Sequence, residues 1–398
     1  MKVSICTALA TLSLIHLSVA AGRQTHKCEH EAFALTLFQQ ASRNTSENFV
    51  ISPYSVSAAF GMTAFGARGQ TFSEMAEALG FSSKDPEALL ALLSAREKTL
   101  SASTNEQVRL ECSNSLWPER RFSLNPGFVS PIAKSLGATV NPITMDSVGQ
   151  QAINEAVSKA THGRIPVTFT APPSAATALI LINTVYFNGK WMYPFSKDKG
   201  VELPFESPKG KVNRPFLSQT RTFPLYEDDD FSLLRLPYKD ADFEMALILP
   251  KAGKCLADLE RSLTAENLYS ALKKSSMERV KVQIPKFEFA STIPLVSAMK
   301  KMGMKLPFTG EADFSGISEK GGLSISDAFQ KANVTVDEEG TVASAVTAIS
   351  VMRSSFRPNP KLFTFRADRP FLFLIRHFYS REILFIGRVT DPTPPVKR

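Results

Sequence analysis

The second half of the chain contains a series of continuously apolar segments, and these constrain the fold more than any other feature. They include FEMALILP, PFLFLI and EILFIGRV, and an earlier one is TALILINTVYFNGKW. A strand that is apolar at every position, rather than at every second one, must be covered on both faces. The sequence therefore predicts sheets whose central strands are buried on both sides.

Helical patterns dominate the first part of the chain. Apolar residues recur at helical spacing in EHEAFALTLFQQA and PEALLALLSAREKTL, and Ser52 and Pro53 have the residue types of a helix cap and a first turn. Helices mostly early and strands mostly late are typical of an α+β fold. With 43% hydrophobic residues, no internal repeat and no low-complexity linker, residues 22–398 are expected to form one domain.

The first 21 residues have the pattern of a secretory signal, because Lys2 precedes an apolar run that ends in the small residues SVAA. We therefore expect residues 1–21 to be removed and the protein to be secreted. No later segment has about 20 uninterrupted apolar residues, so no membrane span is expected. The mature chain keeps Cys28, Cys112 and Cys255. At most one disulfide can form, and the sequence does not tell which two cysteines would pair.

The sequence contains none of the common short motifs of catalytic or metal-binding sites. No serine lies in a GxSxG turn, and GxxxxGK[ST], HExxH and CxxC are absent. His30 and Glu31 resemble the start of a zinc motif, but no second histidine follows at the required spacing. We expect no enzyme, no metal and no cofactor, and His30 is better explained as a helix-start residue.

The stretch VDEEGTVASAVTAISVMRSSFRPNP, residues 336–360, differs from the other strand-like segments. Thr, Val and Ile favour the extended conformation between Thr341 and Val351, yet most side chains there are too small to anchor a core. Arg353 follows as the only basic residue between Thr341 and Phe356. The segment has the composition of a strand and the setting of an exposed loop.

Four segments together resemble the serpin family over nearly the whole mature chain. FRADRPFLFLI followed by EILFIGRVTDP resembles the family's C-terminal signature, and LINTVYFNGKW resembles the strand that ends in its breach tryptophan. NFVISPYSV resembles the shutter segment, and VDEEGTVASAVTA the inhibitory hinge. The resemblance implies a single-domain serpin fold. That fold is α+β, with a large central mixed sheet, two smaller sheets, eight to nine helices and an exposed hinge and reactive loop over residues 337–358.

In this family the loop is offered to a protease as bait, and after cleavage it inserts into the central sheet as an extra strand. The resemblance therefore implies a suicide-substrate inhibitor that forms a covalent complex with a serine protease. Small or neutral residues in the hinge suit insertion, and the hinge residues are Glu338, Gly340, Thr341, Ala343, Ser344 and Ala345. The alternative is a non-inhibitory serpin that acts as a carrier, but such members tend to have bulky, charged or proline residues in the hinge.

The bait bond is predicted at Arg353/Ser354. The family's commonest spacing from Gly340 points instead to the Ser354/Ser355 bond, and a spacing one residue shorter gives Arg353. A trypsin-like protease recognises one basic side chain through an aspartate in its pocket, which favours Arg353. Ser354 and Met352 remain alternatives for the bait residue, and the sequence does not name the target protease.

The residues Ser52, Ser55 and Asn183 match the shutter positions that hold the central strands of the family's sheet in a polar network. A simpler explanation also stays open, in which the serines only cap a helix and Asn183 is only an amide at the end of a strand. Gln330 occupies the position where many members have a shutter histidine, so the network's hydrogen bonds and any pH response cannot be carried over.

At the breach, Trp191 matches the family's tryptophan, and Glu338 and Lys286 match an ion pair at the base of the loop. Such a pair contributes less than about 1 kcal/mol when it is partly exposed, so its expected role is to hold the base of the loop in place.

The chain has a formal net charge of +8, and a heparin-like, sulfated polysaccharide is one candidate partner. The cluster proposed for it consists of Lys273, Lys274, Arg279 and Lys281. A solvated face is the other interpretation, and cations at 273 and 274 also suit the end of a helix. We expect a glycan at Asn44, none at Asn333, no nucleic-acid partner and a monomer.

Overall fold

The computed structural model describes residues 30–83, 85–161, 163, 169–239, 242–341 and 361–395. The expected signal, Cys28 and most of the reactive loop lie outside these residues. The described helices, of which there are nine, are α1 (30–41), α2 (Pro53–Phe65), α3 (Gly69–Ala78), α4 (Pro86–Ala102), α5 (Pro126–Leu136), α6 (Ser147–Ala160), α7 (Leu256–Ser262), α8 (Ala265–Lys274) and α9 (Val296–Lys301).

Fifteen strands are described. They are β1 (Phe49–Ile51), β2 (Val108–Pro118), β3 (Thr139–Val140), β4 (Leu179–Lys190), β5 (Val201–Ser207), β6 (Gly210–Glu227), β7 (Phe231–Pro237), β8 (Phe243–Pro250), β9 (Ser276–Pro285), β10 (Phe287–Pro294), β11 (Ile325–Val336), β12 (Gly340–Thr341), β13 (Leu362–Arg366), β14 (Phe371–His377) and β15 (Ile383–Val389).

One sheet has six strands in the order β10-β11-β4-β2-β3, and the short β12 pairs with β4. It is mixed, because β11 runs parallel to β4 and β2 runs parallel to β3, whereas the other pairs are antiparallel. This is the central mixed sheet that the resemblance implied.

The other sheet has nine strands, in the order β1-β15-β14-β8-β7-β6-β9-β13, with β5 also paired to β6. Two smaller sheets were expected here, but their strands join into one continuous hydrogen-bonded sheet. The reason is the length of β6, whose 18 residues pair with β5 at one end and with β7 and β9 further along. The α+β class and the eight to nine helices are confirmed.

The continuously apolar segments are buried as predicted. Every residue of β14 and β15 is buried, and so is every residue of β8. Helix α2 is also buried along all 13 residues, because it lies beneath α4 and contacts both sheets through β4 and β15. Gly61 allows this packing, since a Cβ there would lie 2.7 Å from a methyl carbon of Leu93. No helix in the described ranges is long and apolar enough to cross a bilayer.

A group of buried charged side chains lies where α1 meets the β14–β15 hairpin. The carboxylate of Glu244 is 2.8 Å from Arg235 Nη2 and 2.9 Å from Arg376 Nε, and all three side chains are nearly inaccessible. Arg96 of α4 pairs in the same way with Glu382, at 2.6 Å. Removing one partner of such a pair leaves an uncompensated buried charge, which costs about 3–5 kcal/mol.

Glu31 of α1 belongs to the same group, but it lacks a close ion pair in the described part of the chain. Its side chain is buried, and its Oε2 atom has no hydrogen-bond partner among the described residues. Burial raises the pKa of the Glu31 carboxyl to about 7, although Arg376 and Arg381 act to lower it and Glu382 and Glu266 to raise it. The carboxyl is therefore largely protonated below neutral pH.

We predict that Glu31 makes the protein less stable as the pH rises. Between the ordinary pKa of 4.5 and about 7, the folded protein keeps a proton that the unfolded chain has lost, so the free energy of unfolding falls across this window. In the Glu31→Gln variant, the free energy of unfolding should fall across this window by up to about 3 kcal/mol less than in the wild type. Urea unfolding from pH 4.5 to 8 measures it, with Glu311→Gln, at an exposed position away from this group, as control. Equal slopes for the wild type and Glu31→Gln would contradict the assignment.

Candidate functional site

The central sheet is open at one end, and this opening is the candidate functional site. Strands β4 and β11 pair from Leu179 and Ile325 up to Val185 and Ala332, and no further. Beyond these residues the two strands no longer pair with each other: β11 continues to Val336 beside β10, and β4 continues to Lys190 beside β2, with the short β12 paired to its last two residues. Among the described residues, two strand edges without a backbone partner therefore face each other across the opening.

The described part of the hinge already occupies the upper end of the opening. Gly340 and Thr341 form β12, antiparallel to β4, with Gly340 opposite Lys190 and Thr341 opposite Gly189. Gly340 avoids a steric clash at this point. A Cβ on Gly340 would lie 2.0 Å from the carbonyl oxygen of Gly189, so only glycine allows the two backbones to approach this closely.

Thr341 is the first hinge side chain that points into the protein. It is 1% exposed, and its hydroxyl is 2.7 Å from the hydroxyl of Tyr238. The Tyr238 ring stacks on Trp191 with centroids 4.8 Å apart and planes 9° apart. Burial raises the pKa of Tyr238, so its hydroxyl stays protonated, and either of the two hydroxyls can donate in this bond. Thr341 is thus held by a hydrogen bond on a rigid aromatic pair.

The turn that leads into the hinge is held by backbone and side-chain bonds to the end of β4. Trp191 donates from its backbone to the Glu339 carbonyl at 2.9 Å and from Nε1 to the Asp337 carbonyl at 3.0 Å. The Asp337 carboxylate accepts from the backbone N–H groups of Glu339 and Gly340. Burial raises the pKa of Asp337, and these two donors act to lower it. The predicted breach tryptophan therefore contacts the base of the loop.

Glu338 and Lys286 form an ion pair, as the resemblance implied. Their side chains are 14% and 23% exposed, so the pair is partly exposed to solvent. A second pair joins Glu339 to Lys197 at 2.7 Å. Lys286 lies between β9 and β10 and Lys197 lies in a short 3-10 turn before β5, so the two pairs fix the acidic residues of the hinge to neighbouring connecting segments.

The lower half of the sheet is closed by a buried polar network. Gln330 of β11 donates to the Asn183 side-chain oxygen at 2.6 Å and to the Ser52 carbonyl at 3.0 Å, and it accepts from the Ser52 N–H at 2.7 Å. Asn183 in turn donates to Ser55 and, at 2.7 Å, to Asn114. All five residues are buried. The structure thus brings the four sequence-predicted shutter residues together, and their role as a shutter stays a prediction.

Gln330 lies where many serpins have a histidine, and its hydrogen bonds could not be predicted from the sequence. Its side-chain amide links its own strand, β11, to β4 and to the start of α2. An amide does not titrate, so this junction carries no proton that a change of pH could add or remove. Ser52 also caps α2, since its hydroxyl accepts from the Ser55 N–H at 3.3 Å. The cap and the network are therefore both present.

Two participants, Tyr238 and Asn114, were missed in the sequence. Asn114 lies opposite Asn183 in the pairing of β2 with β4, and Tyr238 follows β7 and bridges to Trp191. No local pattern marks either residue, because each contact depends on the register of strands that are distant in sequence. The bait residues Arg353 and Ser354 and the hinge residues Ala343, Ser344 and Ala345 lie outside the described residues.

The proposed polysaccharide cluster is divided between two elements. Lys273 and Lys274 are exposed in the last turn of α8, while Arg279 and Lys281 alternate along β9. Asn44 is exposed in a turn, which suits a glycan, whereas Asn333 lies within β11 and its sequon partner Thr335 is buried. The polysaccharide and the glycan both stay predictions. Cys112 and Cys255, the described cysteines, are free thiols.

We predict that Thr341 and Tyr238 are energetically coupled through their hydroxyls. Tyr238→Phe keeps the ring on Trp191 but removes the hydrogen bond, and Thr341→Val removes the other partner with little change of shape. Each single variant should lose about 1 kcal/mol of stability, and the double variant should lose less than the sum. Urea unfolding of the four proteins gives the coupling. Additive losses would show that the hinge is not held by this bond.

Comparisons with known proteins agree with this geometry. Residues 29–392 match the sequence model of the family described as Serpin (serine protease inhibitor). The leukocyte elastase inhibitor of Xenopus laevis is 33% identical over 92% of this chain and 98% of its own length. The native state of tengpin, a thermophilic serpin, superposes with a TM-score of 0.83 at 28% identity, covering 92% of this chain and 94% of tengpin.

A solved structure of thyroxine-binding globulin in complex with thyroxine is also similar, with a TM-score of 0.82 and 26% identity over 92% of this chain and 99% of that one. The family model spans nearly all the described residues, and the relatives match over almost their full lengths. The chain belongs to the serpin family, a family of serine protease inhibitors and not of enzymes.

Proposed function

We propose that this protein is a secreted suicide-substrate inhibitor of a trypsin-like serine protease and that it is cleaved after Arg353. The observation that carries the proposal is the opening between β4 and β11 with β12 already paired at its upper end. A loop that is cut beyond this point has a free end, and the sheet offers it two unpaired edges.

The register of β12 predicts where the cleaved loop would go. Gly340 lies opposite Lys190 and Thr341 opposite Gly189. If that antiparallel pairing continues, Val351 comes opposite Leu179, the first residue of β4. The segment from Gly340 to Val351 thus has the same 12-residue length as β4, and Arg353 would emerge just past the other end of the sheet.

The side chains suit this register. The inward positions of β4 are odd-numbered near the opening, where Val185, Phe187 and Gly189 are buried and residues 186 and 188 are half-buried. Thr341 faces inward with them, so the alternate loop residues would also face the core. The loop residues that would face inward are Thr341, Ala343, Ala345 and Thr347. In this register the small Ala343 would lie opposite the large Phe187, and the polar Thr347 would lie opposite Asn183.

Backbone hydrogen bonds supply the driving force in this proposal. A 12-residue strand inserted between β4 and β11 would be antiparallel to both and would form about one bond per residue on each side. The parallel bonds that β4 and β11 now share would be lost. A net gain of roughly 15 bonds at about 1 kcal/mol each is on the order of 10–20 kcal/mol, which is comparable to the roughly 5–15 kcal/mol that stabilises a folded protease.

Insertion also moves the protease. Arg353 is 13 residues beyond Gly340, so an acyl-enzyme bond at Arg353 would be carried about 40 Å along the sheet at ~3.3 Å per residue. The serine of the protease attacks the Arg353 carbonyl carbon, and the Ser354 amine leaves with the proton that the protease histidine supplies. Distorting the protease at this stage would prevent water from releasing the acyl group.

The carrier interpretation remains the alternative, and the thyroxine-binding globulin structure shows that the fold can hold a small ligand. The bound hinge favours inhibition, because Gly340 and Thr341 already pair with β4 and Thr341 is small enough to be buried there. A carrier does not need a hinge that fits the sheet.

We predict that the purified protein forms a covalent complex with trypsin, thrombin or factor Xa. A band at the summed mass should survive SDS, and the released C-terminal peptide should begin at Ser354. The Arg353→Ala variant should lose this band with trypsin-like proteases, and Ser354→Ala serves as the matched control that keeps it. A peptide that begins at Ser355 would move the bait to Ser354, and cleavage without any stable band, also with elastase and chymotrypsin, would support the carrier.

A further inference from the structure

At its β13 end, one face of the nine-stranded sheet is not covered by any other described part of the chain. On β9, Val280 and Val282 point into the core, so Met277, Arg279 and Lys281 point outward. The outward residues of β13, next in the sheet, are Leu362, Thr364 and Arg366, and those of β6 on the other side include Thr220 and Thr222. We call these eight residues the β9–β13 face.

The β9–β13 face is cationic and partly apolar. Arg279, Lys281 and Arg366 are its charged residues, and within the described part of the chain none of the three forms an ion pair with a carboxylate. Arg366 donates from Nε to Gln283, at 2.7 Å. Met277 is 64% exposed and Leu362 is 50% exposed, which is unusual for side chains of this size.

The position of this face in the chain limits what it can meet. Leu362 follows the predicted bait bond by only eight residues, and eight extended residues span at most about 29 Å. A protease of ordinary size has a diameter of roughly 40 Å. A protease that holds the Arg353/Ser354 bond in its active site is therefore tethered within reach of the β9–β13 face.

We propose that the β9–β13 face is a docking surface for the target protease and that it selects a protease with acidic side chains beside its active site. This inference rests on the proposed function and adds a partner surface to it. Charges at the rim of an interface accelerate association by steering the encounter, and they do so less as salt screens them. Arg279, Lys281 and Arg366 would supply the steering, and Met277 and Leu362 the apolar contact.

A sulfated polysaccharide is the other molecule that Arg279 and Lys281 could bind. The apolar residues favour a protein, because methionine and arginine are enriched at protein interfaces, while exposed Met277 and Leu362 offer nothing to a polyanion. The polysaccharide is therefore an outcome of the test and not part of the proposal.

The test compares the rate constant of complex formation for the wild type, R279Q/K281Q and K300Q/K301Q. Lys300 and Lys301 lie on α9, which packs on the six-stranded sheet, so this control removes the same charge elsewhere. Rates are measured without polysaccharide at 25 and 300 mM NaCl, with whichever of trypsin, thrombin and factor Xa the wild type inhibits fastest. R279Q/K281Q should be about tenfold slower at low salt and should depend less on salt, and K300Q/K301Q should match the wild type.

The amount of inhibitor consumed per protease should stay unchanged in R279Q/K281Q, since docking changes the encounter and not the insertion. Equal rates and salt dependence for all three proteins would overturn the docking surface while the covalent complex still supports the proposed function. A rate difference that appears only when heparin is added would assign the face to a polysaccharide and would also overturn it. The absence of an SDS-stable complex with the wild type would refute the proposed function itself, and the docking surface with it.

Discussion

The opening between β4 and β11 is the constraint on which the rest of the structure depends. Two strand edges with unsatisfied backbone groups are normally covered or paired, because they can bond to any extended chain. Here they lie inside the central sheet, and among the described residues only β12 lies between them. In the proposed function, the cleaved loop would complete the backbone hydrogen bonds that these described edges leave unmade.

The sheet stays in this state because its lower half is closed. Below Val185 and Ala332 the two strands pair directly, and Gln330 ties β11 to Asn183 of β4 and to Ser52 at the start of α2. These bonds are buried, so breaking them without new partners costs about 1–3 kcal/mol for each group left unsatisfied. A full-length inserted strand would repay that cost, but thermal motion of the intact loop would not. In the proposed function the network would act as a barrier to insertion, and because Gln330 does not titrate, that barrier would not depend on the ionisation of a histidine.

Much of this arrangement could be predicted from the sequence, because its signals are local. Continuous apolar runs predicted that β8, β14 and β15 are buried on both faces, and a serine followed by proline predicted the start of α2. Ser52, Ser55 and Asn183 were identified from motifs, and the structure brings them together with Gln330. Tyr238 and Asn114 could not be found in this way, since register between remote strands places them. The joining of the smaller sheets through β6 was missed for the same reason.

The central claim is that the cleaved loop becomes a strand between β4 and β11, and hydrogen–deuterium exchange tests it most directly. Exchange of the backbone amides at 186–188 and 333–336 would be measured before and after trypsin cuts the loop. Insertion predicts that those of these amides that point into the opening, rather than toward β2 or β10, change from rapid to strongly protected exchange and that the cleaved protein unfolds at a much higher temperature. Unchanged exchange at both edges, with no gain in thermal stability, would contradict the account.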